Sequence, residues 1–547
     1  MSSSLNRESR VDALRAMQDG ELDVLVVGGG IVGAGTALDA VTRGLRTGLV
    51  EAQDWASGTS SRSSKLIHGG LRYLEMMDFA LVREALHERG LLVNRLAPHL
   101  VHPLAFIYPL TRRVWERAYV GAGVILYDAM ASGSGTSSLP RHRHLSRRGA
   151  LRLAPGLRAD ALIGAVQYYD AQVDDARHTM MVVRTAASHG ALVASRTRVI
   201  ALERSARRVT GARLLDLEGG REFVVRARAV ISATGVWSDE FSALAHTEGP
   251  ALVRASKGVH LLVARNRIAL DSGLILRTET SVLFVIPWGV HWLIGTTDTE
   301  FDGDLATPVA TRVDVDYLLE HVNRVLEHPL TLDDVQGVYA GLRPLLSGNK
   351  DSTSRLSREH VVSSRELGLV VVAGGKYTTY RIMASDAVDE AVRNRTPAVT
   401  ASRTADEPLI GAKDWSALWD SRWHLASESG LDVRRIEHLL GRYGALTEDL
   451  LVRIEADPAL GVAVGESDYL RVEVLYAVEH EGALHLEDVM MRRTHLEIES
   501  ADHGLATASE VAMLMAPLLG WSDDDVEREI ARHQSQVDVE WAHITRS

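Results

Sequence analysis

The chain of 547 residues contains no cysteine. This absence excludes disulfide bonds, thiolate metal sites, iron–sulfur clusters and a cysteine nucleophile. A redox protein of this composition would therefore need an organic cofactor.

Long apolar runs are also absent. The longest candidate, VGAGVILYDAMA at 120–131, is shorter than the roughly 18 residues of a membrane span. The first residues, MSSSLNRESRVDALRAM, lack the apolar segment of a secretory signal. The sequence therefore predicts a cytoplasmic protein.

The length of the chain predicts three or four domains of about 150 residues each. Charge is distributed unevenly along it. Residues 401–547 carry 29 acidic and 13 basic side chains, a net charge of −16, whereas the rest of the chain carries +4. A mildly basic body suits an anionic cofactor or substrate, and an acidic solvated tail explains the asymmetry equally well. Neither part has the strongly basic composition of a nucleic-acid-binding protein.

The clearest local pattern is a strand, a glycine-rich turn, a helix and a second strand. The run LDVLVVGGG at 22–30 is typical of a parallel strand buried on both faces. Gly28, Gly30 and Gly33 then fit GxGxxG, in which glycines allow a tight turn, close approach of a pyrophosphate and close helix packing. Glu51 ends the second strand, where a carboxylate can accept ribose hydroxyls. The combination predicts a dinucleotide site, with a glycine-rich packing turn as the alternative.

The remaining sequence divides into a sheet-rich body and a helical tail. Further strands are predicted at 196–203, 209–217 and 222–233, and alternating apolar residues predict an antiparallel sheet over 259–300. The stretch 369–390 repeats the order of strand, Gly-Gly and helix. From about residue 402 the pattern is helical, which places a domain boundary near 397–410.

A second motif, TSSRSSKLIHGGLRY at 59–73, concentrates hydroxyl and cationic side chains around two glycines. Such a set offers donors and close backbone approach to a phosphate-rich or carbonyl-rich ligand. An ordinary serine-rich loop is the alternative.

Seven motifs, in this order, resemble the FAD-dependent sn-glycerol-3-phosphate dehydrogenase family, within the D-amino-acid-oxidase-like flavoproteins. They are VVGGGIVGAG, SSKLIHGGLRYLE, KGVH (257–260), IPW (286–288), GTTDTEFDGD (295–304), GLRPL (341–345) and GGKYTTYR (374–381). The resemblance spans about residues 20–400 and continues more weakly through the tail.

The resemblance implies an α/β + α fold, in which a Rossmann-like FAD-binding domain is interleaved with an antiparallel-sheet substrate domain and followed by a helical C-terminal domain. The expected ranges are 1–88, 165–238 and 345–397 for the FAD-binding domain, 89–164 and 239–344 for the substrate domain, and 405–547 for the helical domain.

FAD is the cofactor that the resemblance implies, and each candidate contact matches a family motif. The ADP half would be held by Gly28, Gly30, Gly33 and Glu51, with the backbone of Val199 at the adenine. The pyrophosphate and flavin would be lined by Thr59, Ser60, Ser64, Lys65 and Leu66. The flavin pyrimidine edge would face Gly374, Gly375 and the next helix, with Thr378 and Thr379 capping that helix while donating to the flavin, because a helix N-terminus favours negative charge.

The implied substrate is glycerol 3-phosphate, a dianion that suits arginine forks. By the resemblance, its phosphate would be bound by Arg72, Tyr73, Arg358 and Thr296, with Arg355 as the alternative to Arg358. Arg343, Lys376 and His260 would lie near the reacting carbon. A base with a near-neutral pKa suits loss of the C2 hydroxyl proton, which favours His260.

The expected activity is oxidation of sn-glycerol 3-phosphate to dihydroxyacetone phosphate, with electrons passed through FAD to a respiratory quinone. Two alternatives stay open, namely an oxidase that uses O₂ and a non-catalytic FAD-binding scaffold whose helical domain recruits a partner. The resemblance also implies peripheral contact with the inner face of the cell membrane and a homodimer.

A final feature is the low-complexity run ASGSGTSS at 131–138, followed by RHRHLSRR. We expect a mobile loop whose Arg141, Arg143, Arg147 and Arg148 could touch anionic lipid, with a solvated basic loop as the alternative. His142 and His144 lack a third ligand nearby, so no metal site is predicted.

Overall fold

The computed structural model describes residues 4–70, 77–111, 115–133, 139–244, 251–279, 282–347 and 360–545. In these ranges the strands are β1 (Leu22–Val27), β2 (Thr47–Val50), β3 (Leu66–Ile67), β4 (Val101–Leu110), β5 (Arg143–Ser146), β6 (Gly164–Val173), β7 (Leu192–Ala194), β8 (Thr197–Ser205), β9 (Arg208–Asp216), β10 (Glu222–Ser232), β11 (Val253–Ala264), β12 (Gly273–Arg277), β13 (Val282–Trp288), β14 (His291–Gly295), β15 (Thr299–Glu300), β16 (Val335–Leu346), β17 (His360–Glu366) and β18 (Leu369–Gly374).

The α-helices of the same ranges are α1 (Arg7–Asp19), α2 (Ile31–Thr42), α3 (Phe79–Leu91), α4 (Trp115–Gly133), α5 (Arg147–Leu153), α6 (Asp175–Ser188), α7 (Ser238–Leu244), α8 (Arg312–Asn323), α9 (Tyr380–Val392), α10 (Trp415–Asp420), α11 (Arg422–Ser429), α12 (Val433–Tyr443), α13 (Thr447–Ala456), α14 (Arg471–His480), α15 (Leu496–Glu499), α16 (Leu505–Leu519) and α17 (Asp523–Thr545).

The first sheet has the order β17-β18-β10-β1-β2-β7, and the hairpin β8-β9 extends it by pairing with β10. The strands β18, β10, β1, β2 and β7 run parallel. Val24 and Val26 of β1 pack into one buried cluster and Leu25 and Val27 into another. Both faces of β1 are therefore covered, as the continuous apolar run predicts.

The second sheet has the order β15-β11-β14-β13-β12-β4-β6-β3, with β16 paired to β11 and β5 paired to β6. All of its pairs are antiparallel except β4 with β12. The predicted antiparallel sheet over 259–300 is confirmed, and so is the helical character of the tail.

The two sheets give the predicted class, a Rossmann-like sheet interleaved with a mostly antiparallel sheet and followed by a helical domain. The predicted range 165–238 would put nearly all of β6 with the first sheet, but β6 pairs with β3, β4 and β5 of the second. We therefore propose a boundary at Asp174, the residue that caps α6, and retain the other ranges as proposals.

The expected loop at 131–148 is partly regular structure. Residues 131–133 end α4, residues 134–138 lie outside the described ranges, and the arginine-rich part forms β5 and the start of α5. Pairing of β5 with β6 orders this segment, which composition alone does not reveal. Among the described residues, no helix is both long and apolar enough to cross a bilayer.

Candidate FAD and substrate site

A cleft lies at the carboxyl ends of the parallel strands of the first sheet. Its walls come from the segments that follow β1, β2, β10 and β18, and from the segment at 57–63. Ligands of open α/β sheets bind at such carboxyl ends. The cleft therefore lies where the glycine motif predicts a dinucleotide.

Glycine is required at each of the three positions of the first motif, and the steric reason differs from one position to the next. Gly28 has a φ of +109°, a region that side chains disfavour. A Cβ at Gly33 would overlap the carbonyl oxygen of Gly28, and one at Gly30 would lie 3.0 Å from Ser60 Oγ. Gly30 is the N-cap of α2 and has no side chain to cap the helix, while the first N–H of the helix, that of Ile31, donates to Ser60 Oγ at 2.9 Å. Such an end suits an anionic pyrophosphate.

Glu51 holds the turn between β1 and α2. Its Oε2 accepts from the N–H of Gly29 at 2.6 Å and its Oε1 from the N–H of Gln53 at 2.7 Å. Burial raises the pKa of Glu51 above its ordinary value, and these two bonds act in the opposite direction. The residue lines the cleft together with Thr197 and Val199, the position expected for a ribose and adenine.

The opposite wall of the cleft is the segment after β18. Gly374 and Gly375 have φ values of +74° and +88°, and both line the cleft with Lys376. The expected capping of α9 by threonine side chains is wrong. Thr379 is the N-cap but makes no cap bond because its backbone is not extended, and the Thr378 hydroxyl instead bonds the backbone of His68.

The segment Thr59–Leu66 joins the cleft to the second sheet. The Thr59 hydroxyl donates to the carbonyl of Leu342 at 2.6 Å, and Ser60 Oγ accepts from the N–H of Ile31 at 2.9 Å. Thr59 and Ser60 line the cleft, whereas Leu66 belongs to β3 and pairs with Gln172 of β6. The segment therefore packs against α2 on one side and β16 on the other.

Lys65, which remains a proposed cofactor contact, holds its ammonium group in a buried ion pair. Its ammonium group is buried and donates to Asp175 Oδ1 at 2.6 Å and to the carbonyl of Ser61 at 3.2 Å. It lies over the rings of Trp288 and Tyr339, at 5.1 and 5.6 Å from their centres. The physical reason is charge pairing, since a buried ammonium needs a buried carboxylate.

His260 lies on β11, buried against Tyr339 of β16. The two rings stack with centres 4.9 Å apart, and His260 Nε2 is 2.9 Å from Ser64 Oγ. Nδ1 has no hydrogen-bond partner in the described part of the chain. Burial, and then the positive charges of Arg343 and Lys65, hold the pKa of His260 well below 6.5. The imidazole is therefore neutral near neutral pH and free to take up a proton, but its lowered pKa departs from the near-neutral value that the sequence predicts for the base.

Arg343 and Thr296 lie beside this histidine. An Nη2 proton of Arg343 is donated to Thr296 Oγ1 at 2.9 Å, and Arg343 Nη1 lies 3.6 Å from Asp298 Oδ1. A Cβ at Gly295, the strand partner of His260, would overlap the imidazole. The structure thus brings together His260, Ser64, Arg343 and Thr296. Arg72, Tyr73 and Arg358, together with the alternative Arg355, lie outside the described residues.

Comparison with known proteins assigns the chain. The model of the family "FAD dependent oxidoreductase" matches residues 23–384, and that of the "C-terminal domain of alpha-glycerophosphate oxidase" matches residues 402–526. Glycerol-3-phosphate dehydrogenase 2 of Mycobacterium tuberculosis is 53% identical over 538 residues, covering 98% of this chain and 92% of the relative. The mitochondrial glycerol-3-phosphate dehydrogenase of Homo sapiens is 36% identical over 573 residues, covering 100% of this chain and 78% of the relative.

The chain belongs to the FAD-dependent glycerol-3-phosphate dehydrogenase family. A solved structure agrees, that of glycerol-3-phosphate dehydrogenase from Bacillus halodurans complexed with FAD, at 27% identity and a TM-score of 0.80 over 99% of both chains. FAD is accordingly the cofactor, and the glycine turn, the acidic residue after β2 and the two helix N-termini of the cleft fit it.

Sequence reasoning missed one wall of the flavin cleft. Residues Ala233–Trp237, which follow β10, line it, because β10 is the parallel neighbour of β1 in the sheet. The sequence does carry a signal, a buried-type strand ending in Ala-Thr-Gly. Its neighbour relation to β1 depends on the strand order, which is not written locally.

The basic segment shows no metal-binding geometry. His142 Nδ1 lies 2.6 Å from Asp128 Oδ2, and no group of three or more metal-ligating side chains occurs among the described residues. The hydrogen bond with Asp128 accounts for His142.

Proposed function

We propose that this chain oxidises sn-glycerol 3-phosphate to dihydroxyacetone phosphate, with His260 as the proton acceptor. The observation that carries the proposal is the neutral, buried imidazole of His260, held by Ser64 in the segment that lines the FAD cleft. The names of the relatives support the choice of substrate.

The chemistry that bound FAD supplies is acceptance of a hydride from C2 of the substrate. The C2 hydroxyl proton then leaves to His260, which makes the carbonyl of the product. Arg343 can polarise the oxygen, but an arginine side chain is not deprotonated in proteins and therefore cannot act as the base. Lys376, at the edge of the cleft, adds positive charge on the side of Gly374 and Gly375.

Recognition of the phosphate is proposed for Arg72, Tyr73 and Arg358, with Thr296 as a hydroxyl partner. Cationic forks bind a phosphate dianion through paired donors. The Thr296 hydroxyl already accepts a hydrogen bond from Arg343, so it lies beside the guanidinium group that we place near the reacting carbon.

Anaerobic mixing with glycerol 3-phosphate tests the activity. We expect the absorbance of bound oxidised flavin to bleach on addition of the substrate, and unphosphorylated glycerol to be far less effective. An FAD-loaded protein that keeps its flavin absorbance in saturating substrate would be the non-catalytic scaffold rather than an enzyme.

We propose a membrane quinone as the electron acceptor of this chain in the cell. Turnover of glycerol 3-phosphate with a soluble quinone analogue, exceeding the rate of hydrogen peroxide production in air, is the expected result. Peroxide formation that accounts for all turnover would instead favour the oxidase.

We propose a cytoplasmic location, and we propose peripheral membrane contact from exposed groups of the substrate domain. The side chains of Arg141, Arg143, Arg147 and Arg148 are exposed, and nearby α4 exposes the apolar side chains of Tyr119, Ile125 and Leu126. Replacing the four arginines with glutamine should weaken binding to anionic vesicles in a salt-dependent way. Equal binding by variant and parent would assign the contact elsewhere.

We also propose that the chain forms a homodimer. A measurement of its molecular mass in solution tests this proposal.

A further inference from the structure

The helical C-terminal domain contacts the FAD-binding domain at Asp54, a buried carboxylate close to the FAD cleft. Asp54 is fully buried and accepts from Arg492 Nε at 2.5 Å and from Arg493 Nη1 and Nη2 at 2.6 and 2.7 Å. Both arginines belong to the helical segment Asp488–Arg493. The bidentate fork of Arg493 makes this an oriented contact and not a loose attraction of charges.

Asp54 lies inside the turn that forms the ribose end of the cleft. Glu51 precedes it and lines the cleft, as do Ser57 and Gly58 after it. The N–H of Ala56 donates to the carbonyl of Gly29 at 3.0 Å, while the N–H of Gly29 donates to Glu51. A displacement of Asp54 would therefore be passed to the glycine turn and to Glu51.

A second chain of bonds links the same helical segment to the same turn. Asp488 Oδ1 accepts from Arg492 at 2.7 Å and from Arg196 at 2.6 Å. The backbone N–H of Arg196 donates to the carbonyl of Gln53 at 2.8 Å, and that of Thr197, a cleft residue, donates to the carbonyl of Glu51 at 2.7 Å. The turn is thus held on two sides, by Arg196 and by Asp54, and the helical domain supplies the opposite charge to each of them.

Burial makes this contact all-or-none. A carboxylate that loses its arginine partners while it stays buried is strongly destabilised, so Asp54 and the segment 488–493 keep their positions together or move together. A ligand that stabilises the turn must then also stabilise the docked segment, because coupling between two sites is reciprocal.

We propose that Asp54 is a positioning residue through which the helical C-terminal domain sets the affinity for FAD, and through which bound FAD stabilises the docking of residues 488–493. The proposal goes beyond the oxidation of glycerol 3-phosphate and depends only on the binding of FAD.

The first test measures the Kd for FAD of the full chain. FAD is removed from the protein and then titrated back, and its binding is followed by flavin fluorescence. Asp54→Asn should raise the Kd for FAD about tenfold or more, as expected for loss of charged hydrogen bonds. The matched control is Tyr476→Phe. It removes the bond from Arg184 Nη2 to the Tyr476 hydroxyl, which joins the same two domains at 3.1 Å and is equally buried, with Arg184 on α6 and Tyr476 on α14. A parental Kd in Asp54→Asn, or an equal loss in both variants, would overturn the proposal.

Hydrogen exchange supplies the second test and does not require a variant. In the parent, peptides covering 488–493 should exchange more slowly with FAD bound than after its removal. Arg493→Lys, which keeps the charge but not the fork, should reduce this difference and serves if Asp54→Asn does not fold. Equal exchange at 488–493 with and without FAD in the parent would contradict the proposed coupling.

Discussion

The cofactor end and the substrate end of the site are built in different ways. At the cofactor end, Gly28, Gly30 and Glu51 lie within one β-α-β unit and act largely through backbone groups and close approach. At the substrate end, His260 and Arg343 come from separate strands of the second sheet and act through side chains. The first end depends on local conformation, whereas the second depends on the register between strands.

The two ends also differ in how the helical domain supports them. At the cofactor end it supplies Arg492 and Arg493 to Asp54. At the substrate end, Glu499 accepts from the indole N–H of Trp288 at 2.6 Å, and Trp288 lies against Lys65. One contact therefore bears on cofactor affinity, while the other bears on the charge beside His260.

The largest effect that would separate the two ends is expected at Gly33. In Gly33→Ala the new methyl group would overlap the backbone carbonyl of Gly28, which cannot move without opening the turn. We expect loss of FAD retention on gel filtration and a destabilisation of about 1–3 kcal/mol from overpacking. Gly123→Ala is the control, because a Cβ there meets nothing within 4 Å. Full FAD retention by Gly33→Ala would contradict the assigned packing role.

A smaller effect is expected at Glu51, and it should fall on cofactor affinity alone. Glu51→Ala removes the acceptor of the Gly29 and Gln53 N–H groups and the proposed ribose partner. The Kd for FAD should rise about tenfold, while the rate of flavin reduction in the loaded enzyme stays close to the parental rate. A variant with the parental Kd and a slower reduction step would transfer Glu51 from the cofactor end to the chemistry.

The smallest effect concerns the pH dependence at the substrate end. Burial, and then the positive charges of Arg343 and Lys65, lower the pKa of His260, so the neutral base persists below pH 6.5 and reduction slows as pH falls through that lowered pKa. The double variant Lys65→Met/Asp175→Asn removes the cation without leaving its carboxylate unpaired. Its acid limb should move to higher pH, because one of the two cations that lower the pKa of His260 is gone.

The matched control for that shift is Lys257→Met/Asp314→Asn, a second buried lysine–aspartate pair, 2.7 Å apart, whose lysine lies on the same strand as His260. Its acid limb should coincide with that of the parent. Equal shifts in the two double variants would show that Lys65 has no specific influence on the histidine.

Sequence reasoning predicted more of the cofactor end than of the substrate end, because the cofactor end depends on local conformation and the substrate end depends on packing between distant segments. Gly28 to Gly33 and the carboxylate after the second strand are separated by few residues, so local periodicity and spacing indicate their chemistry. Lys65 and Asp175 are 110 residues apart, and their pairing exists only after the two sheets have packed. The threonine caps failed similarly, because the turn before α9 leaves the Thr379 backbone in a conformation that the sequence does not specify.

The most direct test of the account is the rate constant for anaerobic flavin reduction by saturating glycerol 3-phosphate in His260→Ala. Loss of a general base that acts in the transition state should lower this rate about 10²–10⁴-fold, with FAD content and the Kd for FAD unchanged. A His260→Ala enzyme that reduces its flavin at the parental rate would contradict the account and leave solvent as the proton acceptor.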